Sequence, residues 1–308
     1  MESFEVRPMQ PAERLEVAEL ICVSTNVWYQ THGRSRIFPS PDAAEVFCDV
    51  YETLDPGCCL VAAHGRTGRL AGSCFYHPRP THVSLGIMNV HPNYFGRGIA
   101  RRLLATILDI ADAQHKPTRL VSSAMNLDSF SLYTRAGFVP QTPYQDMYVS
   151  VPAEGLPFQH DHDRFVREAT LSDLADIVAL EMEVAGIRRD GDFRYFLENA
   201  PGFWHVSVYR DDAGTMQGFM ASSAHPGCNM IGPGAARTPE QAAALVLAEL
   251  QRHRGRTPVF LVPVQCGPLV AAMYRWGAVN CETHFSQIRG HAQPLRGIHM
   301  PTFLPETS

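Results

Sequence analysis

One stretch of the chain, residues 88–104 (MNVHPNYFGRGIARRLL), limits most strongly what this sequence can fold into. An apolar run rich in β-forming residues ends at His91-Pro92, and a short polar turn containing Gly96 and Gly98 follows. A helical pattern then begins and continues without interruption. A strand, a glycine-bearing turn and a helix start present main-chain N–H groups and the helix dipole to an anion, and the arginines of the stretch add positive charge. The stretch therefore predicts a phosphate-binding loop.

The length and composition predict a globular protein of two domains. The 308 residues are too many for one average domain and suit two of about 150. A hydrophobic content of 45% and a charged content of 19% allow a core in each. The formal charge of −5 argues against a nucleic-acid partner held by electrostatics. The eight cysteines are scattered without a C-x-x-C pair, which indicates reduced thiols.

We expect a cytoplasmic protein without a membrane partner. No apolar run approaches the roughly 20 residues that a membrane-spanning helix needs. The N-terminal residues MESFEVR lack the basic and then apolar layout of a signal peptide. The oligomeric state stays open, because no feature of the sequence addresses it.

The order of the elements predicts an internal repeat. Residues 1–150 read as a strand, two helices, a hairpin, the strand into the glycine turn, a helix, a strand, a short helix and closing strands. Residues 165–293 repeat this order in outline. Between them, residues 151–164 contain two prolines and no apolar period, and we interpret them as a linker. Residues 294–308 form a proline-rich tail, expected to pack as an extended segment.

A metal is not predicted. The linker contains His160-Asp161-His162-Asp163, but side chains that are adjacent in sequence seldom all point inward, and a solvated linker is favoured.

Two common phosphate loops do not fit the sequence. A Walker loop needs G-x-x-x-x-G-K followed by Ser or Thr, and no such string occurs. A dinucleotide fingerprint needs G-x-G-x-x-G after the first strand of a βαβ unit, whereas this turn comes in mid-domain after a hairpin.

The stretch resembles instead the pyrophosphate loop of the GNAT superfamily of N-acetyltransferases. In that family a strand often ends in V-x-P, and R/Q-x-x-G-x-G or A then opens a helix; this chain has VHPNYFGRGIA. About thirty residues later the family shows Asn and then L-Y-x-x-x-G-F, which is present here as Asn126 and residues 132–138 (LYTRAGF). Phe95 departs from the pattern, because the family usually has Arg or Gln there.

The resemblance implies an α/β (α+β) fold of two tandem GNAT-like domains, each a mixed, largely antiparallel twisted sheet flanked by helices. It implies transfer of an acetyl or other acyl group from acetyl-CoA to the primary amine of a small substrate, with acyl-CoA and that amine as the partners. The backbone of Met88 and Val90 would pair with the pantetheine amides, and Tyr133 would protonate the departing thiolate. The implied cofactor-binding residues are Met88, Asn89, Val90, Phe95, Gly96, Arg97, Gly98, Ile99, Ala100, Arg101 and Asn126.

Simpler interpretations stay open for two of these residues. Tyr133 fits a helix residue packed in the core, and Asn126 fits a loop or cap residue. The general base is not visible, because the family often has a Glu on the strand Val83–Val90 and this chain has none. His77, His82 and Asn89 (through a water) are the candidates, and transfer without a dedicated base is a further possibility.

The second half resembles the same fold without the loop chemistry. Its counterpart of the glycine turn reads GPGAARTPEQAA, and Glu240 at the helix start would repel a phosphate. Met273 stands where Tyr133 lies. We therefore expect no acyl-CoA turnover in residues 165–290.

Two other functions are weighed against the enzyme. A non-catalytic acyl-CoA-binding or sensory protein would keep the loop without turnover. Thiol catalysis through Cys58 or Cys59 lacks a His at a characteristic spacing. The acceptor is not identified, although the aromatic and basic residues 28–36 would suit an acidic or aromatic substrate.

Overall fold

The computed structural model describes residues 3–307, which form two compact units. The first unit consists of the residues up to Pro78, His82–Thr118 and Leu304–Glu306. The second consists of Arg79–Thr81, Arg119–Phe303 and Thr307. Among the described residues, no helix is both long enough and apolar enough to cross a membrane.

The first unit contains a four-stranded antiparallel sheet in the order β1-β2-β3-β4. Its strands are β1 (Phe4–Pro8), β2 (Cys59–His64), β3 (Leu70–Pro78) and β4 (Val83–Val90). Its helices are α1 (Arg14–Thr31), α2 (Pro41–Leu54) and α3 (Ile99–Ala113).

Helices α1 and α3 cover opposite faces of this sheet. Successive side chains of a strand point to opposite faces. Asn89 of β4 hydrogen-bonds to α1, whereas Gly72, which pairs with the next residue, Val90, lies under Ile99 of α3. The apolar stripe that the sequence predicts on α3 is buried (Ile99, Leu103, Leu104, Ile107, Leu108 and Ala111).

The second unit contains the remaining helices and most residues of the remaining strands, and several of these elements repeat those of the first unit. Its helices are α4 (Leu127–Arg135), α5 (Leu174–Ala185), α6 (Asp190–Glu198), α7 (Pro239–Arg252) and α8 (Gly267–Arg275). The strands that follow β4 in sequence are β5 (Thr118–Ser123), β6 (Val139–Tyr148), β7 (Val166–Glu168), β8 (Trp204–Arg210), β9 (Met216–His225), β10 (Cys228–Ala236), β11 (Val259–Pro263), β12 (Val279–Arg289), β13 (Ile298–Met300), β14 (Thr302–Phe303) and β15 (Glu306–Thr307).

The last strands of the two sequence halves are exchanged. The strand order in the second unit is β5-β12-β6-β11-β10-β9-β8-β7. Strand β12 of the second half therefore lies between β5 and β6 of the first, and β6 lies between β12 and β11. Because of this exchange, the compact units do not coincide with the halves 1–150 and 165–293, whose limits stay a prediction about the repeat.

The expected fold class is confirmed. Both units have largely antiparallel sheets flanked by helices, with β10 and β11 as a parallel pair. The repeat extends to details of packing. A Cβ on Gly72 of β3 would meet Ile99 of α3, and a Cβ on Gly218 of β9 would meet Leu245 of α7. In both halves a glycine therefore lets the helix after the loop approach the sheet closely.

Candidate active site

Strand β4 carries a bulge just before the predicted pantetheine-binding residues. Its pairing with β3 shifts by one residue between Leu85 and Met88, and Gly86 lies within the bulge, against Phe75 and His77. A bulge bends a strand and increases its local twist. The resemblance implies a splayed strand here, and the bulge gives β4 an irregularity of that kind.

Asn89 ties β4 to helix α1. Its side chain is buried, and its Oδ1 accepts hydrogen bonds from Ser24 Oγ at 2.5 Å and Thr25 Oγ1 at 3.3 Å. The Asn89 Oδ1 is thus engaged with α1, and Asn89 itself pairs with Ser73 of β3, so its contact with acyl-CoA stays a prediction.

The glycine turn has the conformation that an anion-binding loop needs. After a short 3-10 turn at Pro92–Tyr94, Gly96 and Gly98 both adopt left-handed backbone angles, with φ of 74° and 76°. Residues with a Cβ rarely adopt these angles. A Cβ at Gly96 would meet nothing within 4 Å. The glycine is therefore explained by its backbone angle and not by crowding from the rest of the chain.

Helix α3 starts directly after this turn, with Gly98 at its N-cap. The first main-chain hydrogen bond of the helix runs from the Arg102 N–H to the Gly98 carbonyl at 3.2 Å. The amides of Ile99, Ala100 and Arg101 precede it, and a helix offers such amides no acceptor of its own. Three N–H groups and the positive end of the helix dipole therefore meet at the turn.

The side chains around the turn are open to solvent. Phe95, Arg97 and Arg101 are exposed, and half of the Phe95 surface is accessible. Ile99 is buried and anchors the helix start on Gly72. The helix start is therefore fixed by packing, while the arginine side chains beside it are exposed, an arrangement that suits an anionic pyrophosphate.

The second signature lies in the other compact unit. Asn126 is the N-cap of α4, where its Oδ1 accepts a hydrogen bond from the Ser129 N–H at 3.0 Å. Tyr133 lies on α4, is 7% exposed and contacts Phe138 edge-on. Asn126 thus has the cap role that was its simpler interpretation, and the functional roles of Asn126 and Tyr133 stay predictions.

The two candidate histidines are buried. His77 Nδ1 lies 2.7 Å from Asp55 Oδ2, and His82 Nε2 lies 3.1 Å from Ser84 Oγ. Both side chains are at most 1% exposed, which does not suit a base that exchanges protons with solvent.

The counterpart of the loop in the second half is built differently. Strand β10 has a bulge between Ile231 and Gly234, at the position of the bulge in β4. Helix α7 starts with a capping box of Thr238 and Gln241, in which the two residues satisfy each other's backbone N–H groups, and Glu240 lies in its first turn. The helix start is therefore occupied by the chain's own side chains and carries a negative charge.

The tail also lies along the second-half strand. Strand β10 pairs with β9 along one edge, and along the other it pairs with β11 at Met230 and Ile231 and then with β13 at Gly234–Ala236. In the sequence repeat, Gly234–Ala236 correspond to Met88–Val90. The segment of β10 that would pair with pantetheine therefore already has a protein strand as its partner.

The cysteines match the expectation from the sequence. All eight are free thiols, and six of them are buried. Burial raises the pKa of the Cys59 thiol well above its usual value, which disfavours the nucleophilic thiolate.

In the linker, His162 Nδ1 lies 3.1 Å from the Tyr209 hydroxyl.

One polar cluster was not anticipated from the sequence. Asp146 of β6 and Glu282 and His284 of β12 are buried and lie together, because Asp146 pairs with Glu282 across the exchanged strands. Glu282 and His284 are two residues apart, which places both side chains on one face of a strand, and this spacing can be seen in the sequence. The partner, Asp146, could not be identified without knowledge of the strand exchange.

Comparison with known proteins gives a family match within the first half. Residues 25–138 match the model of the Acetyltransferase (GNAT) family. The UPF0157 protein YqkA of Bacillus subtilis is 32% identical over 77 residues, which are 25% of this chain and 22% of that protein. The match thus spans about a fifth of that relative.

Solved structures share the fold over nearly the whole chain. A candidate acetyltransferase of Pyrococcus horikoshii has a TM-score of 0.73 and 14% identity, with 99% of this chain and 93% of that chain covered. A GCN5-related N-acetyltransferase of Sphaerobacter thermophilus has a TM-score of 0.64 and 18% identity, with 96% and 98% covered. A tandem GNAT protein from the clavulanic acid biosynthesis pathway has a TM-score of 0.60 and 16% identity, with 95% and 99% covered.

These findings confirm the resemblance. Residues 25–138 match the GNAT acetyltransferase family, and the solved structures show that the fold of nearly the whole chain is a tandem GNAT fold. Acyl transfer is the chemistry of this family.

Proposed function

We propose that this protein is an N-acyltransferase that transfers the acetyl group of acetyl-CoA to the primary amine of a small substrate. The first half supplies the acyl-CoA site, with the pyrophosphate at Gly96–Arg101 and the pantetheine along Met88–Val90. One observation carries the proposal. The first half keeps left-handed glycines and an open helix start, whereas in the second half a capping box and β13 take the corresponding places.

The transfer is a substitution at the thioester carbonyl. The neutral amine attacks the carbonyl carbon and forms the C–N bond, and the C–S bond then breaks. The departing thiolate takes a proton, for which Tyr133 is the proposed donor, and the new ammonium loses one to a base or to water. Because His77 and His82 are both buried, transfer without a dedicated histidine base fits best.

The experiment that tests the loop assignment is a titration of acetyl-CoA into the full chain and into Arg101→Glu. Arg101 is exposed, so its replacement leaves the fold intact. Reversing the charge beside the pyrophosphate should weaken acetyl-CoA binding at least tenfold, since a charge-assisted hydrogen bond contributes about 1.5–3 kcal/mol.

A matched control and a second ligand sharpen this test. Arg194→Glu makes the same charge change on the exposed face of α6 and should bind acetyl-CoA as the wild type does. Acetyl-pantetheine lacks the pyrophosphate, and its binding should not distinguish Arg101→Glu from the wild type. Equal acetyl-CoA affinities for Arg101→Glu and the wild type would contradict the placement of the pyrophosphate.

A non-catalytic acyl-CoA-binding protein is the second candidate. The exposed Phe95 at the usual Arg or Gln position and the lack of a carboxylate on β4 favour it. It predicts saturable acetyl-CoA binding with no CoA release in the presence of any amine.

A further inference from the structure

The buried cluster of Asp146, Glu282 and His284 is the most unusual polar group outside the proposed acyl-CoA site. Each side chain offers one ligand atom, and these atoms lie within 4.8 Å of one another. The three side chains are 6–7% exposed. Burying two carboxylates side by side is costly unless a proton or a cation compensates their charge.

The cluster contains polar atoms that the chain itself does not satisfy. Asp146 Oδ1 and His284 Nδ1 are buried and have no hydrogen-bond partner among the described residues. His284 Nδ1 faces Asp146 Oδ2 at 3.5 Å, a distance longer than a good hydrogen bond. Buried polar atoms of this kind nearly always have a partner, and a nitrogen and a carboxylate oxygen that face each other suit a shared cation.

Neighbouring residues fix the orientation of two of the three side chains. Ser123 Oγ donates a hydrogen bond to Glu282 Oε1 and accepts one from the Met125 N–H at 3.0 Å. The ring of Phe303 contacts the His284 ring with centroids 5.0 Å apart. Supporting contacts of this type hold the ligands of metal sites in place.

We propose that Asp146, Glu282 and His284 bind one divalent transition-metal ion. One imidazole nitrogen and two carboxylate oxygens are a ligand set for Zn²⁺ or Mn²⁺, whereas Mg²⁺ and Ca²⁺ prefer oxygen alone. Three protein ligands leave further coordination positions for water or a ligand. The ion joins the two exchanged strands, because Asp146 belongs to β6 and the other two ligands to β12.

The test uses Mn²⁺ and the full chain without an affinity tag, after treatment with a chelator. Mn²⁺ is the preferred probe because the eight free thiols would bind Zn²⁺. Electron paramagnetic resonance should show one equivalent of bound Mn²⁺, with a nitrogen coupling from the imidazole. Asp146→Asn should weaken this binding at least tenfold, and His284→Ala should also remove the nitrogen coupling.

Two further variants keep the test decisive if these substitutions disturb folding. Ser123→Ala keeps all three ligands but removes the hydrogen bond to Glu282, together with the one from the Met125 N–H, and should lower Mn²⁺ affinity about 10–100-fold. Glu249→Gln is the control, because Glu249 is a buried carboxylate whose two oxygens already accept hydrogen bonds from His205 and Ser222. It should bind Mn²⁺ as the wild type does. No saturable binding, or equal binding by the wild type and Asp146→Asn, would overturn the proposal and leave the cluster holding a proton.

Discussion

We expect a substitution at Gly72 to weaken acyl-CoA binding, because Gly72 packs against the start of helix α3. A Cβ at this position would lie 2.6 Å from Ile99 Cγ2, 3.1 Å from the Asn89 carbonyl oxygen and 3.3 Å from Leu103 Cδ1. Carbon atoms pack best about 3.5–4 Å apart, so Gly72→Ala must move Ile99 by about 1 Å. Ile99 is the first residue of α3, and its amide is one of the proposed phosphate donors.

The expected cost of Gly72→Ala has two parts. Overpacking of this kind destabilises a fold by about 1–3 kcal/mol, which lowers the melting temperature by roughly 2–10 °C. The displaced amides should weaken acetyl-CoA binding by about tenfold, or about 1.4 kcal/mol. Thermal unfolding and calorimetric titration with acetyl-CoA measure the two parts separately.

Gly218→Ala is the matched control. A Cβ there would lie 2.8 Å from Leu245 Cδ1 and 3.1 Å from Ala236 Cβ, so its effect on stability should be similar. Because Leu245 belongs to α7 in the second half, acetyl-CoA binding should not change. If Gly218→Ala weakens binding as much as Gly72→Ala does, the assignment of the acyl-CoA site to the first half is refuted.

Two further predictions concern the exchanged strands and the response to acid. A fragment of residues 1–164 keeps β1–β4 but lacks β12 and β11, the two neighbours of β6, and circular dichroism should show less strand structure per residue than in the full chain. The control is the full chain with a protease site inserted between the exposed residues Ala153 and Glu154; after cleavage, the two pieces should stay together in size-exclusion chromatography. Burial lowers the pKa of His253 to about 4, so the unfolded chain takes up a proton before the folded one as the pH falls below about 6.5. His253 should therefore reduce the unfolding free energy by about 2 kcal/mol between pH 6.5 and pH 5, and urea unfolding of His253→Gln should show a smaller loss than the wild type.

Short-range features of the sequence predicted the architecture and the loop. The left-handed angles at Gly96 and Gly98 and the helix start at Ile99 follow from residues that are adjacent in the chain. The repeat was visible because glycines such as Gly72 and Gly218 recur at matching places. These features are local, and local patterns are what a single sequence specifies best.

Long-range pairing could not be predicted in the same way. Because the two halves repeat the same pattern, the sequence allows β6 to pair with β5 of its own half or with β11, the strand that corresponds to β5 in the second half. The exchange decides which residues meet, and it brings Asp146 to Glu282 across 136 positions of sequence. The antiparallel pairing of β13 with β10 could not be predicted either, because nothing in the short strand Ile298–Met300 indicates its partner.

The most direct measurement of the central claim is acetyl transfer by the full chain, with released CoA and acetylated product quantified by chromatography and mass spectrometry over a panel of small amines. The proposed function predicts turnover with at least one amine. Tyr133→Phe should lower kcat at least tenfold and leave the affinity for acetyl-CoA unchanged, because the phenol acts on the departing thiolate. Turnover by Tyr133→Phe at the wild-type rate would contradict the role of Tyr133. Acetyl-CoA binding without product from any amine would contradict the enzyme and favour the non-catalytic binding protein.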